Sequence, residues 1–162
     1  MTTLQRTIEF LSLSLWLGGE VFLAFVMAPG AFYVLGNDAQ AGAMVRYGLG
    51  HMHVVGAFCG LLFLVTRVMR TGKFASLVKP ASLCVMVMIT LTIISQYTVM
   101  AKMSSLRAPM RSIHAPVMDS PEWVEFNRLH HLVVLVEGGV MLAGVAGLHL
   151  LVRELRSNST EA

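Results

Sequence analysis

Four long apolar stretches constrain this chain more than any other feature of its sequence. An α-helix needs about 20 residues to cross the hydrocarbon core of a bilayer. All four stretches are close to that length or above it: residues 8–35, 50–68, 77–100 and 129–152. Of the 162 residues, 56% are hydrophobic and only 13% are charged, whereas about a quarter of the residues in a soluble domain are charged. The sequence therefore predicts an all-α integral membrane protein, in which residues 1–162 form a single four-transmembrane-helix bundle.

The positions of the lysine and arginine residues predict the orientation of this bundle, because cytoplasmic loops of membrane proteins carry an excess of them. Seven lie on the side that holds the two termini, and five lie on the other side, which includes the predicted outer loop 101–128. We therefore expect both termini in the cytoplasm and a multi-pass protein of the cytoplasmic (inner) membrane. The net charge of +3 follows from this topology. The chain has no basic tract, so we expect no nucleic-acid partner.

Two glutamates, Glu20 and Glu137, lie near the middle of the first and the fourth predicted helices. A charged side chain at the centre of a membrane helix costs about 2.5–3.5 kcal/mol on insertion scales, so an intramembrane carboxyl group is by default a functional-site hypothesis. At a rise of 1.5 Å per residue, the two glutamates lie roughly 12–15 Å from the outer surface. Their similar depth predicts that the two carboxyl groups share one site.

Polar side chains on all four helices are predicted to surround these glutamates. The same depth estimate puts His53 of the second helix and Gln96 of the third helix in the outer half of the bundle. On the fourth helix, the spacing i, i+4, i+7 puts His130 on one stripe with Glu137. We therefore expect a polar cavity that opens to the outer side, lined by Glu20, Met27, His53, Thr92, Gln96, His130 and Glu137.

Three chemistries fit such a cavity. A metal site is the first, since carboxylate and imidazole suit zinc or iron, and methionine with histidine suits copper; its ligands would be Glu20, Glu137, His53 and His130. Haem b is the second, held between histidines at the starts of the second and fourth helices; the candidates are His51, His53, His130 and His131. A relay in which Glu and His side chains carry a proton or a cation is the third.

These chemistries leave several functions open. The leading hypothesis is a membrane protein that binds a metal ion or haem in its outer half, as an oxidoreductase or in metal handling. The alternative is a non-catalytic subunit or assembly partner of a larger membrane complex, or a homo-oligomer, in which the glutamates are buried and paired. A small proton-coupled transporter is a third hypothesis, and its four helices would have to oligomerise to form a pathway.

Local signals predict where the helices bend, end and pack. Pro29-Gly30 is expected to kink or end the first helix, and Asn37 to cap a short amphipathic piece over residues 39–47 at the outer interface. Ser120-Pro121 resembles a capped helix start that runs into the fourth helix. Small residues predict close helix packing, at Gly56 and Gly60 on the second helix and at Gly139, Ala143 and Gly147 on the fourth.

Three motifs resemble those of a known membrane-protein family. They are Trp16-Leu17-Gly18-Gly19 with Ala28-Pro29 and Phe32; Phe126-Asn127-Arg128-Leu129-His130; and Val136-Glu137-Gly138. Over residues 8–152 the chain resembles the transmembrane protein 205-like family, otherwise the domain of unknown function 4149. That family is similar to copper-resistance D-like membrane proteins and, more distantly, to haem-containing four-helix protoporphyrinogen oxidases. The resemblance implies four transmembrane helices and carries no settled activity.

Overall fold

The computed structural model describes residues 2–112 and 120–160, and these form four long helices. Helix α1 covers residues 2–35, as two α-helical segments joined by a π-helical turn at Leu23–Met27. Helix α2 covers Asp38–Thr71. Helix α3 covers residues 80–112, with a π-helical turn at Ser95–Met100. Helix α4 covers Pro121–Thr160. All four are long and apolar enough to cross a membrane, which confirms the predicted fold class.

Helix α1 passes through Pro29 instead of ending there. Proline lacks the backbone N–H that an α-helix needs, and the preceding turn is π-helical, with the Ala28 N–H donating to the Leu23 carbonyl. The helix ends at Leu35, and Gly36 follows in the left-handed conformation with φ 56°. The predicted break at Pro29-Gly30 is therefore a change of helical pitch within one continuous helix.

Capping residues start two helices earlier than their apolar stretches, as predicted at Ser120-Pro121 but not at Asn37, where a separate interfacial helix was predicted. The Asn37 side chain accepts hydrogen bonds from the backbone N–H groups of Ala39 and Gln40, at 3.0 and 3.1 Å. Residues 39–47 are therefore the first turns of α2 and not a separate interfacial helix. At α4, the Ser120 hydroxyl accepts from the Trp123 N–H at 3.3 Å.

The predicted outer loop 101–128 is accordingly much shorter. Residues 101–112 extend α3, and α4 begins at Pro121. The connection comprises residues 113–120, of which 113–119 lie outside the described residues. The link between α2 and α3 contains a short 3-10 turn, Phe74–Val78.

The four helices pack in a ring in which each contacts its neighbours in chain order and α4 closes against α1. Ion pairs join the start of α1 and the ends of α2 and α4, so both termini lie at one end of the bundle. We call this the terminal end, and the opposite end, which holds the turn at residues 36–37, the distal end. The orientation of these ends in the membrane stays a prediction.

Two apolar core layers lie along the axis. The layer toward the terminal end contains Leu13, Trp16, Cys59, Phe63, Ala81, Val85, Met88, Val140 and Leu151. The layer toward the distal end contains Leu23, Leu49, Val99, Met103, Leu129 and Val133. The buried polar residues Glu20, His53, Thr92 and Ser95 fall between these layers in the sequence of each helix, so the bundle has a polar level in its interior.

A second group of buried charges closes the terminal end. Arg67 of α2 is completely buried and pairs with Glu9 of α1 at 3.3 Å and with Glu154 of α4. Arg70 donates to the same Glu9 at 2.6 Å. Arg67 and Arg70 are among the seven basic residues from which the topology was predicted, and their pairing with glutamates was not predicted. Because the charges are paired, the cluster links three helices without leaving a buried charge alone.

The small residues of α2 make room for one aromatic side chain. A Cβ atom at Gly56 would overlap the Trp16 indole, and a Cβ at Gly60 would lie 2.8 Å from the same ring. On α4, a Cβ at Gly147 would lie 3.1 Å from the Cβ of Cys84 on α3. Gly56 and Gly60 thus allow α1 to pack closely on α2, and Gly147 allows α3 to pack closely on α4.

We expect Gly56→Ala to destabilise the bundle by about 1–3 kcal/mol, the usual range for overpacking, because the added methyl group displaces the buried Trp16 ring. Thermal unfolding in a mild detergent measures this effect. Gly18→Ala is the matched control, since a Cβ at Gly18 meets no atom within 4 Å. Equal unfolding temperatures for the two variants would contradict this packing.

Candidate functional site

The centre of the candidate site is a hydrogen bond between His53 of α2 and Glu137 of α4. His53 Nε2 lies 3.0 Å from Glu137 Oε1. The two side chains are 3% and 13% exposed, so the contact is inside the bundle. Helices α2 and α4 are not neighbours in the ring. This bond therefore crosses the interior of the bundle.

Helix α3 supplies a partner to each end of this bond through two consecutive residues. The Ser95 hydroxyl donates to Glu137 Oε1 at 2.7 Å, and Gln96 Oε1 lies 2.8 Å from His53 Nδ1. Consecutive residues of a helix point about 100° apart, and α3 packs between α2 and α4. Ser95 can therefore face α4 while Gln96 faces α2.

The π-helical turn of α3 begins at Ser95. Such turns are rare and occur frequently at functional sites. It starts at the residue that donates to Glu137 and includes the residue that contacts His53. The π-helical turn of α3 thus contains both residues, Ser95 and Gln96, that contact His53 and Glu137.

Helix α1 contributes Glu20, which is 3% exposed. The Trp16 indole N–H, one helical turn earlier, donates to Glu20 Oε1 at 3.3 Å. Glu20 is also close enough to Glu137 and His53 to interact with both electrostatically. The two glutamates therefore lie at one polar level of the bundle, and their forming one functional site stays a prediction. We call Glu20, His53 and Glu137 the Glu–His–Glu cluster.

Two buried oxygen atoms of the site have no hydrogen-bond partner among the described residues. They are Glu137 Oε2 and Thr92 Oγ1. Burying a polar group without a partner costs free energy, and each such group in a folded protein calls for an explanation. The Glu137 carboxyl group thus keeps one oxygen free to accept a proton or a cation.

His130 does not join the cluster, although its spacing from Glu137 predicted that it would. The buried positions of α4 are Leu129, Val133 and Val140, and His130 is exposed on the flank of this stripe. Seven residues also separate His130 from Glu137 along the helix axis by about 10 Å. The inward-facing stripe of α4 therefore passes through Leu129, one residue before the predicted His130.

The other two candidate haem ligands lie outside the bundle core as well. His51 is exposed, and its Nδ1 lies 2.8 Å from the Tyr47 carbonyl oxygen of its own helix. His131 is exposed beside His130, with ring centroids 6.1 Å apart. Across residues 2–112 and 120–160, the inward-facing histidine at this level is His53, and both of its nitrogens have partners. This arrangement does not fit bis-histidine haem, which stays an untested prediction.

The cluster fits a metal ion only in part. Glu20, His53 and Glu137 are suitable ligand types, yet within the described part of the chain no three His, Cys, Asp or Glu side chains stand close enough together to hold a metal ion. His53 would have to exchange one of its hydrogen bonds for a metal bond. Metal binding by Glu20, Glu137, His53 and His130 therefore stays a prediction.

Most residues of this site were predicted from the sequence, but the contact of Ser95 was not. The prediction included Glu20, Glu137, His53 and Gln96, which the fold brings together. It did not assign a role to Ser95, whose signal was its place in the polar second half of α3. Met27, also predicted to line the cavity, packs instead beside the apolar layer toward the distal end.

Comparison with known proteins identifies a family. No curated protein and no solved structure matches the chain significantly. The family model named Domain of unknown function (DUF4149) matches residues 11–112, which include Glu20, His53 and Gln96 but not Glu137. A relation to the transmembrane protein 205-like or copper-resistance D-like proteins stays a prediction. Because the model matches more than half of the chain, this membrane-type four-helix protein belongs to the DUF4149 family.

Proposed function

We propose that this protein binds an exchangeable proton at the Glu–His–Glu cluster and uses it in proton-coupled transport. The observation that carries the proposal is the His53–Glu137 hydrogen bond inside an apolar bundle, with Glu20 beside it. Ionisable residues inside membrane helices commonly pair with one another and mark proton or ion pathways. Imidazole and carboxyl groups are also the side chains that most readily exchange protons near neutral pH.

The hydrogen bonds of His53 limit how many protons the cluster holds. With Gln96 Oε1 accepting from His53 Nδ1–H, a single proton lies between His53 Nε2 and Glu137 Oε1. That proton sits either on the imidazole, which gives an ion pair, or on the carboxyl group, which gives two neutral groups. In both arrangements the pair has no net charge.

Glu20 decides the net charge of the whole cluster. It accepts a hydrogen bond from Trp16 and forms no ion pair with the residues that the structure describes. If Glu20 is ionised, the cluster carries one net negative charge within the apolar bundle, which is costly. Uptake of one proton removes this charge. The cluster thus has two states that differ by one proton, and such a pair of states is what a proton-coupled protein requires.

The surroundings favour proton exchange with the distal side. Toward the terminal end, Trp16, Met88 and Val140 are completely buried, and the ion-pair cluster of Arg67 lies beyond them. Toward the distal end, Gln96 is half-buried and lines a surface groove. A proton could therefore reach His53 from the distal side past Gln96, whereas the other direction is closed by close-packed side chains.

Proton flux into proteoliposomes tests this function. Under an imposed pH gradient, with a pH-sensitive dye inside, we expect the wild-type protein to acidify the vesicles faster than the rate of protein-free vesicles. Glu137→Gln should lower the rate to that of protein-free vesicles, since a proton that reaches His53 passes to Glu20 through Glu137, and glutamine can contact His53 but cannot relay the proton.

The matched control for this flux assay is Glu122→Gln, which removes an exposed carboxyl group from the same helix. Its flux should equal that of the wild type. A wild-type rate no higher than that of protein-free vesicles, or an unchanged rate in Glu137→Gln, would contradict the proposal.

Metal handling is the second candidate function, and the free Glu137 Oε2 favours it. A free carboxylate oxygen beside the His53 imidazole suits a borderline cation such as Zn²⁺. Under this candidate, elemental analysis of the protein purified in neutral detergent should find a metal at near-unit stoichiometry. The metal should be lost in Glu137→Gln and retained in Glu122→Gln. A metal-free wild type that takes up neither zinc nor copper on titration would remove this candidate.

A further inference from the structure

A surface groove of about 410 Å³ runs along α2 and reaches α3 near the candidate site. Its α2 side is formed by Arg46, Tyr47, Gly50, His51 and Val54, and on α3 it meets Gln96. Gln96 contacts His53 at 2.8 Å. The groove therefore extends from the distal end of the bundle to the edge of the Glu–His–Glu cluster.

Gly50 keeps this groove open. A Cβ atom at Gly50 would meet no atom within 4 Å, although the residue is half-buried among the groove walls. Glycine in the middle of a helix costs about 1 kcal/mol relative to alanine. Gly48, two residues earlier, is different, because a Cβ there would lie 2.6 Å from the Met27 side chain. The packing of α1 on α2 thus explains why residue 48 is a glycine, but it does not explain the glycine at position 50.

The groove combines an apolar wall with a cation at its distal end. Arg46 is half-buried, and no hydrogen bond or ion pair joins it to the described residues. Tyr47 and His51 lie beside it with exposed side chains, and Val54 further along is 71% exposed. Arginine beside tyrosine at a membrane interface is an arrangement suited to a lipid headgroup.

The dimensions of the groove match a lipid that lies along the helix. From Arg46 to the level of His53, seven residues of α2 rise by about 10 Å. This distance separates the cation at the distal end from Gln96 at the inner end. A headgroup phosphate at Arg46 would leave an acyl chain to cover Gly50, Val54 and Gln96.

We propose that this groove is a binding site for an anionic phospholipid, with its phosphate on Arg46 and one acyl chain along Gly50 and Val54 to Gln96. The occupant is a lipid because the groove lies on the outer surface of two helices long and apolar enough to cross a membrane, and its wall is mainly apolar. It is anionic because Arg46 has no carboxylate partner to neutralise it among the described residues. This site does not depend on the proposed proton function.

Native mass spectrometry of the full chain, released from mixed vesicles of phosphatidylglycerol and phosphatidylcholine, tests the proposal. We expect the wild-type protein to retain phosphatidylglycerol in preference to phosphatidylcholine. Arg46→Gln should reduce the retained phosphatidylglycerol about fivefold, the effect of one arginine near an anionic surface. Gly50→Leu should also reduce it, because leucine adds a side chain to the groove at a position where a Cβ atom meets no atom within 4 Å.

Two variants control for general effects of charge and of added side chains. Arg128→Gln removes an exposed arginine at the distal end of α4, and Gly18→Leu adds a side chain to another open position, on α1. Both should retain phosphatidylglycerol as the wild type does. Unchanged retention in Arg46→Gln would overturn the proposal, as would equal retention of the two lipids. Displacement of the lipid by inorganic phosphate would also overturn it, since the site would then bind a free anion.

Discussion

The contact between His53 and Glu137 is the interaction on which the rest of this structure depends. It joins α2 to α4 across the interior of a bundle whose helices otherwise pack with their ring neighbours. In an apolar surrounding, neither group is stable alone, because water is not available to solvate a lone charge or an unmet hydrogen bond. The bond therefore fixes the rotation of both helices and brings Ser95 and Gln96 of α3 to the same level.

A second diagonal contact at the terminal end repeats this arrangement with permanent charges. Arg67 of α2 pairs with Glu154 of α4 and with Glu9 of α1. Arginine stays charged under all physiological conditions, so this cluster is a fixed connection. The Glu–His–Glu cluster differs, because each of its members can gain or lose a proton. One end of the bundle is thus held by arginine ion pairs, and the polar level toward the other end holds the groups to which we assign the proposed proton exchange.

The sequence was sufficient to predict the four helices and the core of the candidate site. Length, hydropathy and the depth of Glu20, His53 and Glu137 predicted their common level, because helix rise is nearly constant. Helix rotation is less regular. The π-helical turn at Ser95 and the drift of the buried stripe on α4 changed which side chains face inward. His130 is therefore exposed beside the stripe, and the role of Ser95 was missed. The partners of Arg67 were also unpredictable, since they come from the two distant ends of the chain.

The most direct test of the account is infrared difference spectroscopy of the protein in lipid across a pH titration, in the region where protonated carboxyl groups absorb. The account predicts a protonated carboxyl band that appears and disappears reversibly, is lost in Glu20→Gln, is shifted in His53→Gln and is unchanged in Glu122→Gln. A spectrum without a titrating carboxyl band, or a band that survives both substitutions in the cluster, would contradict the claim that Glu20, His53 and Glu137 exchange a proton within the bundle.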